Sequence, residues 1–146
     1  MKNTKAGFTI LEILLVIAVL SIIASVSLPL FLGSVDKNRV DLATLTAVQY
    51  LRQAIARAEA NDHDSAWGVK FLPGRIVMFQ GDNYDARDAG FDRVTQVEGI
   101  DFAGDTLIIF PRISAELPDT ATLHLRATAN GQERKVVINP KGALTY

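Results

Sequence analysis

Lys5-Ala6-Gly7-Phe8-Thr9-Ile10-Leu11-Glu12 opens a stretch that stays apolar through Leu28, Pro29 and Leu32. From Phe8 to Leu32 the chain runs 25 residues with one ionisable side chain, Glu12. A helix needs about 20 apolar residues to cross a bilayer core of roughly 30 Å, so this run is long enough to span one. Lys2, Lys5 and the initiator amine precede it. The positive-inside tendency then holds the N-terminus in the cytoplasm and sends the rest of the chain outward. A secretory signal is one reading, because Ser25-Val26-Ser27 offers a small-x-small cut site before Leu28. Signal cores run about 7–15 residues, however, and this one is longer and carries an acid near its start. A plain single-pass anchor accounts for length and orientation but not for Glu12, since a charge at the centre of a membrane helix costs about 2.5–3.5 kcal/mol and is a functional signal by default.

The junction supports a third reading. A short basic leader ending in Gly7, then Phe8, then Glu12 as the fifth residue after the glycine, then an unbroken apolar helix, resembles the class III leader of type IV prepilins and type II secretion pseudopilins. Pro29, the twenty-second residue after Gly7, matches a helix-kinking proline common in that family. The resemblance implies a membrane prepilin peptidase as partner, cutting between Gly7 and Phe8 and methylating the new amine. It also implies assembly with other pilins or pseudopilins through the N-terminal helix, with the membrane as its first surroundings. A free amine at Phe8 and a lone carboxylate at Glu12 are each costly in lipid unless partnered, and a staggered neighbour supplies both partners. Pro29 removes a helix hydrogen bond and Gly33 adds backbone entropy, so together they mark a helix weak spot. Ala18, Ser21 and Ser25 are spaced for close helix packing.

Beyond Ser34 a helical pattern continues to about Ala60, with Leu42, Leu45, Val48, Leu51, Ile55 and Ala58 at steps of three or four forming one expected buried face. Asn61-Asp62-His63-Asp64 is a polar stop. Runs rich in Val, Ile, Phe and Thr follow, separated by Gly, Pro and Asp, and predict strands at Trp67–Leu72, Arg75–Gln80, Val94–Phe102, Thr106–Pro111, Thr120–Thr128, Glu133–Asn139 and Ala143–Tyr146. Leu123, Leu125 and Ala127 are expected to face inward, Thr122, His124 and Arg126 outward, and Ala129-Asn130-Gly131-Gln132 to form a hairpin turn. The expected organisation is a leader at 1–7, a membrane-spanning and filament-core helix at 8–33, an amphipathic helix at 34–61 and an antiparallel β domain at 62–146, an α+β chain. Trp67-Gly68-Val69, the Gly99-Ile100 to Phe110 pair and Arg134 to Gly142 resemble the H-type minor pseudopilins. The glycine that resemblance leads one to expect after Phe110 is absent, and Pro111-Arg112-Ile113-Ser114 stands there.

Composition narrows the remaining functions. A cut after Gly7 removes two of the 15 basic side chains and none of the 16 acidic ones, taking the formal charge from −1 to −3. That balance is not a nucleic-acid binder's, although Arg126, Arg134, Lys135 and Lys141 lie close in sequence, so no nucleic-acid partner is expected. With no cysteine there is no disulfide framework or thiolate site. Asp82, Asn83, Asp85 and Asp88 share one loop of the kind that offers oxygen ligands to calcium, but the spacing is not that of an EF-hand and Arg87 sits among them. His63 between Asp62 and Asp64 reads as a helix-terminal turn. No nucleophile elbow, zincin helix, phosphate loop or dinucleotide fingerprint occurs, so neither an enzyme nor a cofactor is expected. The competing class is an anchored or secreted β domain that binds an extracellular ligand.

Overall fold

The computed structural model describes residues 7–146, with the side chains of residues 26–37 left out of that description. The leader residues 1–6 therefore lie outside the described residues, as do the side chains at the weak spot expected at Pro29 and Gly33. Contacts divide the chain into two compact units, one ending at Val35 and one spanning Asp36–Tyr146. Helix α1 runs Ile10–Glu59. In the first unit its apolar side chains stand bare, from Ile10 at 81% exposure to Ile23 at 58%. Ser21 and Ser25 return their hydroxyls to the carbonyls of Ile17 and Ile22, at 2.8 and 2.7 Å. Back-bonding of this kind satisfies a polar group inside an otherwise apolar helix.

The second unit packs the C-terminal part of α1 with two antiparallel four-stranded sheets. The strands are β1 (Trp67–Leu72), β2 (Arg75–Gln80), β3 (Arg93–Gln96), β4 (Ile100–Gly104), β5 (Leu107–Phe110), β6 (Ala121–Ala127), β7 (Glu133–Ile138) and β8 (Leu144–Thr145). One sheet is ordered β3-β2-β1-β5 and the other β4-β6-β7-β8. The fold is α+β. Leu123, Leu125 and Ala127 of β6 are buried while Arg126 is exposed, as alternation requires. The 129–132 segment joins β6 to β7, with Gly131 at φ 70° and Ala127 N–H donating to Gln132 O at 2.8 Å.

Two expectations need correction. The buried face of α1 is Val40, Ala43, Thr44, Ala47, Val48, Tyr50, Leu51, Ala54 and Ala58, whereas Leu42 and Leu45 are 64% and 48% exposed. At about 100° per residue Leu42 falls on the side opposite Val40, Ala47 and Ala58, and Leu45 also lies outside their arc. Steps of three or four join either set of positions. The face that packs is the one whose four alanines, Ala43, Ala47, Ala54 and Ala58, let the helix share one core with the bulky Trp67, Phe71 and Phe110, with Leu51 the one leucine on that face. The single strand expected at Val94–Phe102 is two strands in different sheets. Gly99, at φ 73°, lies in the crossing between them, where Val97 N–H donates to Gly74 O and Thr128 N–H to Gly99 O.

The end of α1 is fastened to the sheet that follows. Asn61 adopts φ 50°, the left-handed conformation that stops a helix, and a 3-10 turn spans Asp62–Asp64. His63 lies in this turn with its Nδ1 2.8 Å from Asp62 Oδ1. Trp67 Nε1 donates to Asp62 O at 3.1 Å, and the Arg57 guanidinium lies over its ring at 4.4 Å. A buried indole needs such a hydrogen-bond partner.

Candidate functional site

The residues at the start of α1 have a defined local geometry. Gly7, Phe8 and Thr9 precede the helix in non-helical backbone, and Gly7 is exposed, with nothing among the described residues within 4 Å of where a Cβ would stand. Phe8 is 80% exposed. The scissile pair implied by the resemblance therefore lies in exposed, non-helical chain just outside the first turn. Thr9 caps the helix: its Oγ1 accepts from Glu12 N–H at 3.2 Å, while its carbonyl accepts from Glu12 N–H at 3.1 Å and Ile13 N–H at 3.2 Å. Threonine followed three residues later by glutamate is the sequence pattern of a capping box, so this role was legible in Thr9-Ile10-Leu11-Glu12 and was missed.

Glu12 occupies the first turn of α1, where the positive end of the helix dipole favours an acid. No hydrogen bond or ion pair to its carboxylate occurs among the described residues. It borders an apolar groove of about 330 Å³ formed with Phe8, Ile13, Val16 and Ile17. The arrangement is an acid on an uncovered apolar helix face, beside the residue whose amine a cut at Gly7 would free. Residues 2–28 match the family described as the prokaryotic N-terminal methylation motif. The chain carries a prokaryotic N-terminal methylation motif. This motif is that of a type IV pilin-like precursor, and its family is structural rather than enzymatic. Neither the curated proteins nor the solved structures contain a match to the chain. The class III leader implies a prepilin peptidase and other pilins as partners of the motif. Among the described residues no helix is long and apolar enough to cross a membrane. The sequence's apolar run extends past Ser25, the last of its described side chains.

The acidic loop has a different organisation. Asn83 Oδ1 accepts from Asp85 N–H at 2.9 Å and Asp88 Oδ1 from Gly90 N–H at 2.8 Å, so both side chains serve local turns. Arg87 lies at the centre of the loop, with Nε 2.9 Å from each oxygen of Asp92, Nη1 donating to Tyr84 O at 2.7 Å and its guanidinium 3.8 Å from the Tyr84 ring centroid. The hydrogen bond to Asp92 raises the Arg87 pKa above its ordinary value. Asp82 and Asp85 are exposed, and among the described residues no three acids or histidines converge as a metal site. Of the C-terminal basic residues, Arg134 is paired with Asp41 at 2.9 Å, while Arg126, Lys135 and Lys141 are exposed. His124 contacts Glu133 across β6 and β7.

Proposed function

We propose that the chain is a minor pilin or pseudopilin, cleaved between Gly7 and Phe8, methylated at the new amine and assembled into a filament through its N-terminal helix. The observation that carries this reading is the junction, where the methylation motif over residues 2–28 coincides with an accessible Gly7-Phe8 bond and an acid in the first helical turn, Glu12, that has no partner among the described residues. The domain plan follows from it: leader 1–7, filament-core helix 8–33, amphipathic helix 34–61 and β domain 62–146. Before assembly the protein lies in the cytoplasmic membrane with its N-terminus inside and its β domain outside. The filament supports protein secretion, pilus function or DNA uptake, and the H-type minor pseudopilins offer a functional analogy. In the filament, Glu12 pairs with the Phe8 amine of a neighbouring subunit, and Pro29 with Gly33 gives the helix a place to extend. The loop of Asp82, Asn83, Asp85 and Asp88 acts as a structured turn around Arg87.

The intact mass of the mature protein, taken from membranes of a host with prepilin peptidase, tests this function. The expected product starts at Phe8 and carries one added methyl group. A start at Leu28 would instead identify a secreted domain, and an intact Met1 a plain anchor.

A further inference from the structure

Edge strands expose a row of unpaired N–H and C=O groups, and proteins usually blunt them with charges, proline, bulges or brevity. Three of the four sheet edges here follow that habit. β3 reads Arg93-Val94-Thr95-Gln96, β4 carries Asp101 and Gly104, and β8 has only two residues. The fourth edge, β5, is Leu107-Ile108-Ile109-Phe110, with neither charge nor proline. It pairs with β1 on one side only.

The register shows which groups are open. Phe71 N–H donates to Thr106 O at 2.8 Å, and Val69 lies opposite Ile108. In an antiparallel pair alternate residues turn their amides toward the partner, so Thr106, Ile108 and Phe110 address β1 while Leu107 and Ile109 address the open side. No turn, loop or side-chain group among the described residues bonds the N–H or C=O of Leu107 or Ile109.

A largely apolar groove of about 290 Å³ is lined by Leu107 and Ile109 of this edge strand together with Leu117 and Pro118 of the segment before β6, and the acids Asp105 and Asp119 also line it. Both lining segments are anchored. Leu117 N–H donates to Pro140 O at 2.8 Å, Asp105 N–H to Thr122 O at 2.9 Å, and Asp105 Oδ2 accepts from Thr122 N–H at 2.7 Å. Leu107 is 40% exposed and Asp119 is exposed. Lys70 is opposite Leu107 on β1 and does not line the groove.

We propose that the open edge of β5 binds an extended segment of a partner protein by strand addition. The segment pairs its backbone with Leu107 and Ile109, places alternate apolar side chains against Leu117 and Pro118, and carries a Lys or Arg that meets Asp105 and Asp119. Main-chain bonding gives such modes their affinity and alternate side chains their specificity. The acids decide between occupants, because two β5 edges laid together would bring like charges from both copies into one groove. This inference uses no part of the N-terminal helix and stands or falls apart from the filament assignment.

The test uses the full chain in detergent micelles and a fluorescent synthetic peptide, Lys-Val-Thr-Val-Thr-Val-Lys. Two control peptides replace its lysines by glutamates or methylate its alternate backbone nitrogens. Peptide anisotropy and amide hydrogen exchange at Leu107 and Ile109 are measured, with Trp67 fluorescence reporting the fold. The lysine peptide is expected to bind and to slow exchange at Ile109, while both controls bind about tenfold more weakly or worse, as expected from one lost charge pair or hydrogen-bonded edge. Ile109→Pro, which deletes an outward N–H, is expected to abolish binding. Asp119→Lys, at an exposed position, is expected to reverse the preference between lysine and glutamate peptides and serves as the deciding variant should Ile109→Pro not fold. Absence of lysine-peptide binding would overturn the proposal, as would binding indifferent to backbone methylation or unchanged exchange at Ile109. A concentration-dependent dimer that Ile109→Pro dissolves would make the occupant a second copy and overturn it equally.

Discussion

Replacing Gly104 by alanine tests the junction where β4 hands the chain to β5. Gly104 has φ +83°, and a Cβ built on it would lie 2.4 Å from the carbonyl oxygen of Thr122. Gly74 provides the matched control, with φ +73° and nothing within 4 Å of its would-be Cβ. The left-handed backbone alone costs a non-glycine residue about 1–2 kcal/mol, and Gly74→Ala is expected to lose that much. At Gly104 the obstacle is backbone of β6, which cannot rotate away as a side chain would. Relief requires β4 to part from β6, and with it the paired hydrogen bonds between Asp105 and Thr122 at 2.9 and 2.7 Å. Each such bond contributes about 1 kcal/mol, so Gly104→Ala is expected to lose about 3–4 kcal/mol in all. At about 4 °C per kcal/mol, the melting temperature falls about 12–16 °C for Gly104→Ala and about 4–8 °C for Gly74→Ala. The assay is thermal denaturation of the full chain in detergent, followed by circular dichroism and by the fluorescence of Trp67, the one tryptophan. Melting temperatures for the two variants within about 2 °C of each other, half of one kcal/mol on the same scale, would refute the reasoning, because only the clash separates them.

Glu12→Leu is expected to leave insertion, cleavage and the β domain intact but to reduce recruitment into purified filaments, since breaking a buried ion pair costs about 3–5 kcal/mol; recruitment equal to wild type removes the proposed role. Gly7→Trp is expected to block maturation while Gly7→Ala preserves it, which immunoblots of precursor and mature sizes decide. Leu51→Ala is expected to cost about 2–5 kcal/mol and Leu42→Ser less than about 0.5, and comparable losses in denaturant titrations would contradict the assignment of the buried helix face. Thr9→Ala is expected to fray the first turn of α1 by about 1 kcal/mol, read as faster amide exchange at Glu12 and Ile13.

Much of the β domain could be read from the chain because its strands alternate and its turns carry their usual residues. Trp67–Leu72 and Arg75–Gln80 came out with their expected bounds, joined through Pro73 and Gly74. The break between β3 and β4 was less legible, since Val94 to Phe102 is locally consistent with one strand and only the bonds of Val97 and Gly99 to distant chain divide it. Leu42 and Leu45 misled for a related reason. Periodicity identifies a stripe but not the depth available beneath it, and that depth is set by residues far away in sequence. At the N-terminus Gly7, Phe8 and Glu12 were singled out by the resemblance of the junction to the class III leader, together with the rarity of an acid in an apolar run. The cap made by Thr9 was equally visible, yet it was overshadowed by that rarity.

The alanine stripe on α1 has a consequence for how this domain tolerates change. Ala47, Ala54 and Ala58 are fully buried beside Leu51, Val40, Val48 and Tyr50, so at the alanine positions of this contact the helical side chains have the least volume to give up. A core normally adapts by trading volume between facing positions, but alanine has nothing left to trade except through glycine, which weakens the helix itself. Adaptation at the alanine positions therefore runs in one direction. The sheet can lose bulk at Trp67, Phe71 or Phe110 and be refilled from the helix by Ala→Val or Ala→Leu, whereas enlarging the sheet residues finds a counterpart only at the larger helical positions such as Leu51.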